Sequence, residues 1–168
     1  MKTNSLPFYD MSDNPTGCCP RFKPEGWDGV ELKLRDKPFV RAETSSVLHV
    51  PLNMGKVMSR VFEHMEASGA YDETDFIVMS RDLSPWKGEH LFAAGNPVED
   101  EEMTTVSGDF ITKVFEGSYR DAKHWHDQMQ TLAAARGNKD AEVWFFYTTC
   151  PKCAKAYGKN YVVGLARL

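Results

Sequence analysis

The sequence predicts an α+β fold made of a tandem pair of strand-helix-strand-strand units. These units form a curved antiparallel sheet with two long helices and a central groove between them. Two stretches place apolar residues at helical spacing, and each is flanked by alternating or apolar runs typical of strands. The same element order recurs after about 70 residues. The 168-residue length, with 42% hydrophobic and 26% charged residues, is typical of a folded globular chain.

The first 27 residues predict an irregular arm. Prolines fix φ and lack an amide donor, and this stretch contains Pro7, Pro15, Pro20 and Pro24. Its aromatic residues are expected to anchor it to the body of the protein: Phe8, Tyr9, Phe22 and Trp27. Residues 28–168 are then expected to form a single domain with two pseudo-repeats, at about 28–98 and 102–168.

The first half is predicted to contain four strands and one helix. The strands are expected at residues 30–34, 39–47, 76–79 and 89–94, with Pro38 interrupting the first two. Asn53 is a candidate helix cap, and Gly69 is expected to end the helix. The apolar face of this helix comprises Met54, Val57, Met58, Val61, Phe62 and Met65.

The second half begins after the acidic run 99–102, which we interpret as a solvated turn. Strands are expected at residues 103–106, 110–115, 142–148 and 160–166. Ser118 is a candidate helix cap and Gly137 the expected helix end. The apolar face of this second helix comprises Tyr119, Ala122, Trp125, His126, Met129, Leu132 and Ala133. Residues 150–158 are expected to be a turn-rich connection with little room for a helix.

Charge and hydropathy exclude several classes of partner. The net charge is −4 and the pI is about 5.7, which argues against nucleic-acid binding because that function needs a basic face. No apolar run is long enough to cross a bilayer, and the first residues lack the apolar stretch of a secretion signal. We therefore expect a cytoplasmic protein with reduced cysteines and no membrane partner.

Three segments resemble the GyrI-like family of bacterial effector-binding domains, which occur alone or fused to transcription activators. Residues 110–132, FITKVFEGSYRDAKHWHDQMQTL, match its strand, small turn and aromatic-spaced helix, with Gly117-Ser118-Tyr119 as the turn. Residues 87–98, KGEHLFAAGNPV, resemble its hairpin strand, and Glu142-Val143-Trp144 resembles its Glu-x-aromatic strand. The chain departs from the family in its arm and in its Cys-Pro-Lys-Cys connection.

The resemblance implies a groove between the two units that holds lipophilic, often cationic, compounds. It also implies a central acidic residue at the start of a late strand, which here is Glu142. Some proteins of similar fold hydrolyse strained cyclopropane-containing compounds. No separate DNA-binding module accompanies the domain in this sequence, so the resemblance implies a stand-alone member that sequesters or senses its ligand.

The strand residues around Glu142 support a binding site independently of the resemblance. Side chains alternate along a strand, so Glu142, Trp144 and Phe146 share one face. A carboxylate among aromatic rings needs a cation or a donor, and a bound organic cation would supply the charge. The alternative is a solvated glutamate near Lys139. The predicted ligand-binding residues are Glu142, Trp144, Phe146, Tyr119, Trp86, Trp125, Tyr157 and Tyr161.

The expected function is therefore binding of bulky lipophilic or aromatic compounds, cations in particular, without turnover and with no catalytic residue. The alternative is a hydrolase of a strained or ester-like molecule in the same groove, in which Glu142 positions water and a tyrosine assists. A further alternative is a zinc-stabilised interaction protein.

The zinc alternative depends on the four cysteines. Cys150 and Cys153 form a Cys-x-x-Cys motif, and Cys18 and Cys19 are adjacent. Four thiolates would bind zinc tetrahedrally if the arm folded back onto the connection, but packing and redox roles stay open. No cofactor is otherwise expected. His124 and His126 are not expected to bind metal because helical residues two apart point away from each other.

Overall fold

The computed structural model describes residues 2–168, which form seven strands and three helices. The strands are β1 (Glu31–Val47), β2 (Val50–Pro51), β3 (Val78–Ser84), β4 (Lys87–Ala93), β5 (Glu102–Glu116), β6 (Val143–Tyr147) and β7 (Tyr161–Arg167). The helices are α1 (Met54–Ala67), α2 (Ala122–Ala135) and α3 (Pro151–Tyr157), with a 3-10 turn at Tyr119–Asp121 before α2. The α+β class predicted from the sequence is confirmed.

The antiparallel sheet closes into a six-strand barrel. The strand order is β1-β4-β3-β6-β7-β5, and β5 pairs again with β1. The two-residue strand β2 pairs with the end of β1 outside this ring. Closure leaves no free edge in the barrel, so the predicted curved sheet is a closed one.

The long strands β1 and β5 replace two predicted pairs of short strands. In β1 the irregularity lies between Leu34 and Lys37, where the register against β5 shifts and Asp36 has a φ of +46°. Pro38 continues the strand, and its carbonyl accepts a hydrogen bond from the amide of Ala94. In β5 the strand runs through Gly108, where a Cβ atom would lie 3.2 Å from the Phe110 ring. The sequence analysis predicted two short strands in place of each of these long ones. A bulge in β1 and a glycine in β5 mark the positions of the predicted breaks.

The two predicted helices pack on the outside of the barrel. Helix α1 covers β1 and buries Val57, Val61 and Met65. Helix α2 covers β7, β5 and β6. Its close approach requires a glycine in β7, because a Cβ at Gly164 would lie 2.8 Å from the Met129 side chain. None of the helices in residues 2–168 is long and apolar enough to span a bilayer.

Helix α3 occupies a connection in which the sequence predicted no helix. The Cys150 sulfur accepts a hydrogen bond from the Cys153 amide at its start, and Pro151 is the first helical residue. Gly158 ends it in the left-handed conformation, with φ of +68°. These are standard start and stop signals, and two helical turns fit between them.

The N-terminal arm closes one mouth of the barrel. Trp27 is fully buried, and its ring centroid lies 5.6 Å from that of Phe146 and 5.7 Å from that of Phe22. Its indole donates a hydrogen bond to the Phe8 carbonyl. Nearby, the buried Lys37 ammonium donates to the Asn4 carbonyl and to Asp75. Aromatic packing and hydrogen bonds from Lys37 to the Asn4 carbonyl and from the Leu6 amide to Asp75 therefore tie the arm to the rest of the chain.

We expect Trp27→Ala to destabilise the protein by about 3–5 kcal/mol, since it empties a fully buried aromatic site. Urea unfolding followed by circular dichroism measures the change. Phe8→Ala is the matched control, because that ring is 65% exposed and its removal should cost less than about 0.5 kcal/mol. Equal costs for the two variants would show that the arm is not part of the core.

Candidate functional site

A polar cavity of about 230 Å³ lies at the other mouth of the barrel. All the strands of the barrel, with the residue just before β6, contribute to its wall, so it is a feature of barrel closure. Its lining includes three arginines and two glutamates, which is unusual for the inside of a sheet. They are Arg41, Arg81, Arg167, Glu89 and Glu142.

Glu89 holds two of these arginines in place. Its side chain is only 8% exposed, and its two oxygens accept hydrogen bonds of 2.8 Å from Arg41 Nε and Arg81 Nε. Hydrogen bonds from Arg41 to Glu89 and Glu43 raise the pKa of that arginine further above its ordinary value. The guanidinium groups are thus fixed and charged at the cavity wall.

Glu142 is paired with arginines, and its environment is not the one that the sequence predicted. Its Oε1 accepts a 2.7 Å hydrogen bond from Arg81, and its Oε2 lies 3.2 Å from Arg167 Nη1. The side chain is 42% exposed. The positive charges of these two guanidinium groups offset the negative charge of the carboxylate, so its attraction for a cationic ligand is weak. The expected electrostatic role of Glu142 in cation binding is therefore not supported.

Trp144 and Arg167 each carry a buried N–H group without an acceptor. Trp144 is 2% exposed. The Arg81 guanidinium lies over its ring, with the guanidinium carbon 4.7 Å from the ring centroid. Within residues 2–168, neither Trp144 Nε1 nor Arg167 Nε finds a hydrogen-bond partner. Buried donors of this kind normally meet an acceptor, so an oxygen atom of water or of a ligand would satisfy them.

The structure brings together only two of the eight predicted ligand-binding residues, Glu142 and Trp144. Phe146 faces the opposite mouth, where it packs against Trp27 and Tyr9. Tyr161 packs against Phe22 at that same end. These contacts place Phe146 and Tyr161 in the core beneath the arm, away from Glu142.

The remaining four predicted ligand-binding residues lie elsewhere. Trp125 is buried and stacks on Phe115 beneath α2. Trp86 is exposed in the turn between β3 and β4. Tyr119 donates its hydroxyl hydrogen bond to the Thr149 carbonyl, beyond the far end of β6 from Glu142. Tyr157 donates its hydroxyl hydrogen bond to the Cys19 carbonyl, and no predicted tyrosine lines the cavity that contains Glu142.

A larger groove of about 670 Å³ runs beside α2 and β5. It includes His124 and Asp127, but both side chains are on the exposed face of the helix, and Asp127 pairs with Lys123. Neither this groove nor the barrel-mouth cavity is lined by a residue of α1, so neither is the predicted groove between the two helices. Although smaller, the barrel mouth has the buried polar groups and is the better candidate.

Ser80, His90 and Thr44 form a second polar cluster, on the outer face of the barrel. Ser80 Oγ lies 2.8 Å from His90 Nδ1, and Thr44 Oγ1 lies 3.0 Å from His90 Nε2. A serine beside a histidine can act as a nucleophile. All three residues are buried, however, and none lines either cavity described above. Because neither described cavity reaches this serine, we interpret the cluster as a structural hydrogen-bond network.

The four cysteines come together at the arm-covered end of the barrel. Their sulfur atoms all lie within 4.8 Å of one another, and no disulfide joins them in the described chain. Among residues 2–168, this cluster brings together enough ligand atoms to hold a metal ion.

Sequence reasoning missed the arginines of the barrel mouth and Glu89. Their signal was present but weak: Arg81 and Glu89 each stand two positions from a buried apolar residue, Met79 and Leu91, on the same strand face. Charged residues in such positions are expected either at a solvated strand end or at a polar site. Only the closed strand order shows that these residues form a polar site.

Comparison with known families bears on the function. A family profile described as "Bacterial hydrolase" matches residues 9–168, which cover the barrel and most of the arm. A search of curated proteins finds no match. The profile match contradicts the expectation of ligand binding without turnover, and it favours the hydrolase alternative.

The His90 cluster generates a prediction about pH and stability. Burial lowers the pKa of His90, although the charges of Asp82 and Glu89 act in the opposite direction. Below the ordinary histidine pKa of about 6.5, the unfolded chain takes up a proton that the folded chain does not. The free energy of unfolding should therefore fall as pH drops below about 6.5.

Urea midpoints measured from about pH 7.5 down to about pH 5.5 test this. His90→Gln keeps a donor and an acceptor at this position but cannot titrate, so its stability should vary less over that interval. His124→Gln, which changes an exposed histidine, should behave like the wild type. An unchanged pH dependence in His90→Gln would contradict the assignment.

Proposed function

Because the chain belongs to the bacterial hydrolase family, we propose that it hydrolyses a small ester-like or strained molecule at the charged mouth of the barrel. The observation that carries this proposal is that one cavity is lined both by an oriented carboxylate and by two residues whose buried N–H groups lack an acceptor. The carboxylate is Glu142, and the donors belong to Trp144 and Arg167.

Glu142 is the group that activates water. An ionised carboxylate has about four lone-pair positions on its two oxygens, and Arg81 and Arg167 occupy one on each. The remaining positions are free, and the exposure of the side chain gives water access to them. The arginines orient the carboxylate, and this orientation favours attack from one direction.

Trp144 and Arg167 supply the electrophilic side of the reaction. As water attacks the substrate carbonyl carbon, its proton passes to Glu142 and negative charge develops on the carbonyl oxygen. The free N–H groups of Trp144 and Arg167 would donate to that oxygen. When the tetrahedral intermediate collapses, the bond to the leaving group breaks and Glu142 returns the proton to it. No net redox change occurs.

Glu89 has a positioning role in this scheme. Its carboxylate binds Arg41 and Arg81 together, and Arg81 in turn binds Glu142 and covers Trp144. Glu89 therefore keeps the Arg81 guanidinium beside the place where negative charge would develop in the proposed transition state.

The strand order also supports the proposal that the two halves are equivalent units related to GyrI-like domains. In the first half the order is β1-β4-β3 with α1, and in the second it is β5-β7-β6 with α2. Proteins of that resemblance include hydrolases of strained cyclopropane compounds. The proposed substrate class is consistent with both the resemblance and the family match.

Glu142→Gln should lower kcat/KM by about 10²–10⁴, since the amide cannot accept the proton from water. The assay is a panel of p-nitrophenyl esters, small lactones and a strained cyclopropane compound. Ser80→Ala is the control: it removes the only serine hydroxyl of the His90 cluster and should leave kcat/KM within about threefold of the wild type. Loss of activity in Ser80→Ala but not in Glu142→Gln would move the active site to that cluster.

Trp144→Phe should lower kcat by about 10²–10³ with little change in KM, because it removes an N–H donor used in the transition state and keeps the aromatic ring. Steady-state kinetics on the best substrate of the panel measure both constants. Trp125→Phe, in the core beneath α2, is the matched control. Equal kcat values for wild type and Trp144→Phe would rule out the indole as an oxyanion donor.

A further inference from the structure

Four sulfur atoms from two distant parts of the chain converge beside the arm-covered mouth. Cys18 and Cys19 come from the arm, and Cys150 and Cys153 come from the start of α3. The Cys18 sulfur lies 3.7 Å from that of Cys19 and 4.0 Å from that of Cys150. More than 130 residues of chain separate the two pairs, so their meeting is a product of the tertiary fold.

The distances of 3.7 and 4.0 Å from the Cys18 sulfur are close to the edges of a metal-centred tetrahedron. Zinc–thiolate bonds of about 2.3 Å place the sulfurs of a tetrahedral site about 3.8 Å apart. A disulfide requires a sulfur–sulfur distance of about 2.05 Å, far below the 3.7 Å observed between Cys18 and Cys19. The fold thus holds four thiols at a separation that suits a shared cation.

Hydrogen-bond donors surround the sulfur atoms. The Cys150 amide donates to the Cys19 sulfur at 3.4 Å, and the Cys153 amide donates to the Cys150 sulfur at 3.5 Å. Thr16 Oγ1 lies 3.3 Å from the Cys153 sulfur and hydrogen-bonds the Tyr157 hydroxyl. Backbone N–H groups directed at thiolates are typical of the outer shell of structural zinc sites.

We propose that Cys18, Cys19, Cys150 and Cys153 bind one Zn²⁺ ion in a closed tetrathiolate site. Each thiol releases its proton to solvent on binding, so four protons leave as one dication enters. Four protein ligands leave no open coordination position, which makes the site structural. The ion joins the arm to the connection between β6 and β7 and so keeps the arm over the barrel mouth.

This role is separate from the proposed hydrolysis, which takes place at the opposite mouth. Closing a long loop removes conformational freedom from the unfolded chain, so a link between residues 19 and 150 has a large stabilising effect. It also explains why an arm without helices or strands in residues 2–30 lies ordered against the barrel. The aromatic packing of Trp27 and Phe22 holds the arm against the barrel in addition to the proposed metal site.

Elemental analysis of the full chain, purified without metal-affinity resin and then dialysed, is the first test. We expect about one zinc per chain. Replacement by Co²⁺ should give the thiolate-to-metal charge-transfer bands and the intense visible bands of a tetrahedral site. Less than about a tenth of an equivalent of zinc, with all four thiols reacting freely with a thiol reagent in the folded protein, would overturn the proposal.

Two cysteine variants and one control assign the ligands. Cys18→Ser changes an exposed ligand, and Cys153→Ser changes a buried one, so at least the first should leave the barrel folded. Both should lose most of the zinc and the Co²⁺ bands. Lys152→Ala changes an exposed residue between the two ligands of α3 and should retain both.

A chelator gives a second readout. The thermal midpoint of the wild type should fall on treatment with a strong zinc chelator and recover on addition of Zn²⁺. Cys18→Ser should already have the lower midpoint and should not respond to the chelator. Intact-mass analysis that finds a Cys18–Cys19 disulfide in the freshly isolated protein would overturn the proposal in favour of a redox role.

Discussion

The antiparallel pairing of β1 with β5 converts an open sheet into a closed barrel, and the rest of the molecule depends on it. Because β1 also pairs with β4, this one strand joins both halves of the chain. A barrel of about eight strands is just wide enough for its interior to be filled by side chains. Six strands enclose less space, so side chains fill the interior, and a small-molecule site inside the barrel is confined to its two mouths.

The two mouths of the barrel differ in polarity: one is apolar and covered by the arm, and the other is lined by charged side chains. At one, the arm adds Trp27, Phe22 and Tyr9 to the core, and the cysteines lie alongside. At the other, the strands end in charged side chains that face solvent and one another. A half-exposed position lowers the cost of desolvating Arg81 and Glu142, while Glu89, which is more deeply buried, has two guanidinium partners. These ion pairs offset the cost of placing charged groups at the polar mouth, and the Glu142 side chain stays accessible to solvent.

The sequence predicts the parts of the fold that depend on local periodicity. Helices α1 and α2 follow from their apolar spacing, and β4, β6 and β7 follow from short apolar runs. The run at 76–79 overlaps β3 only at Val78 and Met79, because the strand continues to Ser84. The continuity of β1 could not be predicted, because Pro38 normally interrupts a strand and the compensating bulge at Asp36 depends on pairing with β5. Helix α3 was missed because a seven-residue helix has too little periodicity, although its Pro151 and Gly158 signals are visible afterwards.

The candidate site shows the same limit more clearly. Glu142 and Trp144 were identified from one strand, since alternation places them on one face. Arg81 is 61 residues away, and nothing in the local pattern links it to Glu142. The arginines that the local pattern does not predict change the expected role of the Glu142 carboxylate. A Glu142 carboxylate surrounded only by aromatic rings would attract an organic cation. In the structure Arg81 and Arg167 balance its charge and orient it. The groups left without a partner are the N–H donors of Trp144 and Arg167, which need an oxygen acceptor. In the proposed reaction a developing oxyanion supplies that acceptor, and this is the reason that we infer hydrolysis rather than cation binding at this cavity.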